Sequence, residues 1–132
     1  MIPFLPGYKY FVTSSISGKA GGVVIYVENE ISVRKIDVAE DGKDSQVEVL
    51  TLELLNKSSI ISLIYRHPKG NLDSFLTSIE NILCNKELLS LENDVIICGD
   101  FNLNTLNNSK HTLLYKSLIQ AMHYTFLINQ DF

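Results

Sequence analysis

Apolar and polar positions alternate through much of the first half of the chain, then take up a helical period near residue 72. Residues 8–12 are aromatic and β-branched and predict a strand. Gly21-Gly22 opens a second, over 23–27. Residues 31–37 set Ile31, Val33 and Lys35 against Ser32, Arg34 and Ile36, a half-solvated strand that follows a turn at Glu28-Asn29-Glu30. Residues 46–55 put Val47, Val49, Thr51 and Glu53 on one face, and Glu48, Leu50, Leu52 and Leu54 on the other. Asn56-Lys57-Ser58 has hairpin-turn chemistry, and 59–65 predict the return strand. His67-Pro68-Lys69-Gly70 ends it, because proline has no N–H to give to a ladder.

The helical period begins with Leu72, Phe75, Leu76, Ile79, Ile82 and Leu83, which share one face and predict a helix from about 72 to 88 with Asn71 as its N-cap. A second helix is predicted over 109–123, with Leu113, Leu114, Leu118 and Met122 inward. Between them, Val95 to Cys98 is a continuous apolar run, as in a strand buried on both faces. Residues 124–128 predict one more strand. The stretches 1–7, 13–22 and 38–45 carry loop chemistry. Hairpins followed by helix–strand alternation predict an α/β layered sandwich with a mixed, largely antiparallel sheet.

Composition narrows this to one domain or part of one: 132 residues, 45% hydrophobic, net charge −4. The only arginines are Arg34 and Arg66, and the lysines are scattered. No basic block offers a broad electrostatic grip on nucleic acid. Cys84 and Cys98 have no metal-ligand or disulfide-framework spacing, and Cys98 is expected to pack as a small hydrophobe in its strand. The N-terminus lacks the cationic flank and length of a signal peptide, and no apolar run reaches membrane-spanning length. The expectation is an intracellular protein, nuclear or cytoplasmic, with no membrane partner.

The candidate chemistry lies just after the apolar run, in Gly99-Asp100-Phe101-Asn102. Gly99 permits a positive φ or a close backbone approach. Asp100 and Asn102, two apart, project to one side of an extended segment at the carboxyl end of a strand, where open α/β sheets tend to place their chemistry. The same four residues also suit an ordinary turn, with Asp and Asn bonding their own backbone.

Three features in order bear on that choice: Gly21-Gly22-Val23-Val24-Ile25-Tyr26-Val27, Tyr65-Arg66-His67-Pro68, and Val95-Ile96-Ile97-Cys98-Gly99-Asp100-Phe101-Asn102. Pro6-Gly7-Tyr8 precedes them. Together they resemble the endonuclease/exonuclease/phosphatase superfamily, and most of all the endonuclease domain of non-LTR (LINE-type, jockey-like) retrotransposons. The resemblance implies a four-layer α/β sandwich, of which residues 1–132 would be a single incomplete domain. It implies magnesium-dependent phosphodiester hydrolysis, DNA as substrate, and a reverse transcriptase domain in the parent polyprotein. Asp100 would deprotonate the attacking water, Asn102 would hold the water or a phosphate oxygen, and Tyr65 would donate to a phosphate oxygen. Arg66 falls where it could reach a phosphate as a substrate-binding residue. Neighbouring strand residues point to opposite faces, however, so Tyr65 and Arg66 cannot both face the site without a bulge. No role is expected for His67, which stands where the retrotransposon motif usually has proline, for His111 or His123, or for Glu48 and Glu53, expected on solvent faces.

The chain departs from the family at both ends. The family's early Asn, its metal-binding Glu and its late Ser-Asp-His segment have no counterpart here, so no metal ligand is assigned. The expectation is a fragment of a nicking endonuclease with little or no activity alone. The alternatives are a non-enzymatic remnant or binding module, and another phosphoesterase branch of the superfamily. A receiver-like domain with Asp100 as phosphate acceptor fits poorly with the hairpin-rich first half.

Overall fold

The computed structural model describes residues 2–13, 22–36, 47–85, 94–104, 109–121 and 124. Eight elements follow in chain order: β1 (Tyr8–Val12), β2 (Val24–Glu28), β3 (Val33–Ile36), β4 (Val47–Leu54), β5 (Ser59–Arg66), α1 (Leu72–Leu83), β6 (Asp94–Asp100) and α2 (Lys110–Ala121). The fold is mixed α/β. β1 and β2 form an antiparallel ribbon, and a four-stranded sheet runs β3-β4-β5-β6. Its first three strands are antiparallel, while β6 lies parallel to β5. Parallel neighbours need a crossover, and α1 supplies it.

The two faces of the sheet serve two cores. On one, Val47, Ile60 and Ile64 pack against Phe75, Ile79, Ile82 and Leu83 of α1 and Tyr115 and Ile119 of α2. On the other, Leu50 and Leu52 meet Val23 and Val27, with Phe11, Ile25, Leu63 and Tyr65 at the margin. Full burial of residues such as Leu50 and Ile64 stabilises by roughly 1.5–3 kcal/mol each. The residues of β5 alternate, those toward the helices buried and those toward the ribbon only half-buried. The β4–β5 hairpin turns at 55–58 with Ser58 left-handed (φ 49°).

Asn71 caps α1 as expected, its side chain accepting from Ser74 N at 3.0 Å. The helix ends at Leu83, earlier than the sequence suggests: the Cys84 N–H still reaches Glu80 O, but its ψ of 0° leaves the helix. Three further expectations are corrected. β6 is not buried on both faces: among the described residues the ribbon-side core takes in residues of β3, β4 and β5 and none of β6. Val95 and Ile97 face the helices, Ile96 is 42% exposed, and Cys98 is exposed rather than packed. In α2 the inward stripe is Thr112, Tyr115 and Ile119, with Leu118 beside it, and Leu113 and Leu114 face solvent. Thr112 can be buried because its hydroxyl donates to Asn104 O at 2.9 Å and meets Ser109 Oγ at 2.9 Å. Glu48 is not on a solvent face: it shares the ribbon side with Leu50 and Leu52, and its Oε2 is buried. The expected strand over 125–128, Met122, His123, the loop 38–45 and most of the turn 13–22 lie outside the described residues.

Candidate functional site

Strand register brings two of the sequence-predicted site residues, Tyr65 and Asp100, together, with Glu48 beside them. Tyr65 pairs with Glu48 on one side and Asp100 on the other. Paired residues share a face, so Glu48, Tyr65 and Asp100 form one row across β4, β5 and β6, at steps of roughly 4.8 Å. The row lies at the carboxyl ends of the parallel pair β5 and β6, on the ribbon side. His67 extends it: its ring stands edge-on to Tyr65 with centroids 5.0 Å apart.

Gly99 brings β6 close enough to β5 for this. Its φ is +143°, and an added Cβ would sit 1.8 Å from Ile64 O. Both properties expected of this glycine are therefore present. Beyond it the chain turns sharply. Asp100 Oδ1 accepts from Asn102 N at 3.1 Å, which closes an Asx-type turn, and Asn102 is left-handed (φ 48°). The ordinary turn expected of these four residues is therefore present, and it engages one carboxylate oxygen of the exposed Asp100. Asn102 Nδ2 donates to Arg66 O at 2.5 Å, an orientation set by that acceptor, and keeps a second N–H.

Phe101, between them, points the other way. Its ring lies 5.6 Å from Phe75 and 5.8 Å from Tyr115, which anchors the turn in the helix-side core. Sequence reasoning gave Phe101 no part; the signal was an apolar residue flanked by two polar ones that must stay outside. It also passed over Glu48, whose place opposite Tyr65 follows only from register.

Arg66 lies on the face opposite Tyr65, as alternation requires, and is 4% exposed. Its Nε donates to Phe101 O at 2.6 Å, Nη1 to Gly70 O at 2.8 Å and His67 O at 3.2 Å, and Nη2 to Asn102 O. The guanidinium carbon lies 5.8 Å from the centre of the Phe75 ring. Burial lowers its pKa from the usual arginine value, and the Asp100 carboxylate opposes that shift. The group stays protonated at any ordinary pH. Its donors are turned to backbone carbonyls, away from the face that carries Tyr65 and Asp100.

Among the described residues, no three His, Cys, Asp or Glu side chains gather to hold a metal. Glu48 and Asp100 are two strands apart, roughly 10 Å between their Cα atoms. Glu48 Oε2 has no hydrogen-bond partner among the described residues. An open apolar groove of about 360 Å³ runs between ribbon and sheet, lined by residues including Tyr8, Val27, Leu52 and Ile61, and holds none of the predicted site residues. No helix among the described residues is long and apolar enough to cross a membrane. Comparison of the chain with protein-family models, curated proteins and solved structures finds no match.

Proposed function

We propose that the chain is part of a phosphodiesterase domain of the endonuclease/exonuclease/phosphatase type, its parent activity being DNA nicking by a non-LTR retrotransposon endonuclease. The observation that supports this most is the Tyr65–Asp100 register beside the Asx-type turn at the end of β6. Hydrolysis forms a bond from water oxygen to phosphorus and breaks an ester P–O bond. In this reading Asp100 Oδ2 takes the water's proton, the Tyr65 hydroxyl donates to a non-bridging oxygen as charge builds, and the second N–H of Asn102 steadies the water or phosphate. The leaving oxygen needs a proton or a cation from residues beyond these; the family uses a histidine and magnesium. The outer side of the ribbon, where Tyr10 is exposed, is where a fourth layer would pack.

A second reading, a non-enzymatic remnant or binding module, is favoured by the extent to which Asn102 and Arg66 are spent on backbone contacts. One experiment separates them. The transcript across the locus is read, and any in-frame extension is expressed and assayed for nicking of supercoiled plasmid with magnesium. The nuclease reading expects an extended frame with a Glu-bearing strand upstream and Ser-Asp-His downstream. It also expects magnesium-dependent nicking that falls at least about a hundredfold in Asp100→Ala, consistent with loss of a general base. A transcript confined to these 132 residues, or nicking indifferent to Asp100, refutes it.

A further inference from the structure

We infer that Arg66 is a positioning residue, a clamp that sets the distance between the two loops carrying the proposed phosphodiester site, and not a ligand for phosphate; this rests on the reading above. The loops are the β5 exit, with Tyr65, His67 and Gly70, and the β6 exit, with Asp100 and Asn102. Nothing in the strand ladders joins them beyond the Tyr65–Asp100 pair. Arg66 joins them from the opposite face. Its fork donates to His67 O and Gly70 O on one side and to Phe101 O and Asn102 O on the other. Asn102 Nδ2 answers across the same gap to Arg66 O.

A planar guanidinium suits this because its donors diverge in one rigid plane, and each carbonyl offers a charge-assisted bond. A lysine would keep the charge and most of the stem, but three donors on one nitrogen cannot span carbonyls on two loops. The left-handed Asn102 gains its support here as well, since its carbonyl and its side chain are both held by Arg66. The Asn102 amide in turn holds Asp100 Oδ1. The orientation of the proposed base is thus transmitted from a buried cation through one residue.

The test is NMR on the whole chain, native and Arg66→Lys, with arginine Nε–H and backbone amides followed, first alone and then with a short oligothymidine plus magnesium. The clamp predicts that the native Arg66 Nε–H is protected from solvent exchange and unmoved by oligothymidine. It predicts that Arg66→Lys shifts the amides of His67 and Asn102 together while the β4–β5 signals stay native. Oligothymidine-induced shifts at Asp100 and Asn102 should weaken about tenfold, the scale seen when an orienting group behind a site is lost. A role in charge or packing alone would be rescued by lysine, and native His67 and Asn102 amides in that variant overturn the clamp. So does an Arg66 Nε–H that follows oligothymidine concentration, which marks a direct phosphate ligand. If Arg66→Lys does not fold, the exchange and titration of the native Nε–H decide. If oligothymidine shifts nothing near Asp100 in the native chain, the clamp stands or falls on the ligand-free comparison, and the phosphodiester reading on the nicking assay.

Discussion

Replacing Gly99 with alanine should cost about 3 kcal/mol of folding stability. The new Cβ would lie 1.8 Å from Ile64 O, 2.8 Å from Ile64 C and 2.9 Å from Ile64 N, all backbone atoms. No rotamer change relieves that overlap. Ile64 is fully buried on a strand held on both sides by β4 and β6, so β5 cannot retreat. β6 must move instead, at the loss of about two ladder bonds, each with a net value of roughly 1 kcal/mol. Holding alanine at positive φ adds about 1 kcal/mol. Gly7 provides the control: it also has positive φ (+84°), but nothing lies within 4 Å of an added Cβ. Gly7→Ala should therefore lose about 1 kcal/mol, the conformational part alone. Urea denaturation reads both, and the Gly99 variant should melt lower by about 10 °C. Equal losses in the two variants would show that β5 and β6 are not in close contact at Gly99. The Tyr65–Asp100 row would fall with that contact.

Thr51 and Ser62 share a buried hydroxyl pair at 2.8 Å. Thr51→Val should cost about 1–3 kcal/mol by stranding the Ser62 hydroxyl, and adding Ser62→Ala should recover part of it, so a double-mutant cycle by denaturation checks the coupling. Burial pushes the Tyr115 hydroxyl up to about 12. Above pH 10 the unfolded chain gives up this proton first, so the folded state holds more protons and stability falls as pH rises from about 10 to 12. Tyr115→Phe should flatten that part of the stability–pH curve.

Elements whose periodicity was strong were legible in the sequence. β1 matches its expected span, β4 and β5 differ from theirs by a residue or less at each end, and Asn71 caps α1. What failed was the question of which apolar surfaces are covered. Val95 to Cys98 suggested a strand buried on both faces because nothing local reveals that, among the described residues, the ribbon-side core takes in none of β6. Leu113 and Leu114 looked inward because hydrophobicity outranks a threonine, until the Asn104 carbonyl is there to satisfy Thr112. At the site, Asp100 and Asn102 were legible from their spacing around Gly99. The opposition of Tyr65 and Arg66 was legible from alternation. Glu48 was not, because its neighbours come from register.

Parallel pairing of β5 with β6 also sets an order of events. The β4–β5 hairpin closes through a short local turn at 55–58 and can form on a microsecond scale. Tyr65 and Asp100 are far apart in the chain, and their pairing must wait for α1 to form and dock before β6 has a place to lie. The clamp from Arg66 to Asn102 closes later still, since both its ends depend on that pairing. The residues proposed to act together are thus the last to meet. Substitutions that slow the docking of α1 would prolong an intermediate with β5 unpaired along one side, a segment rich in isoleucine and open to another chain.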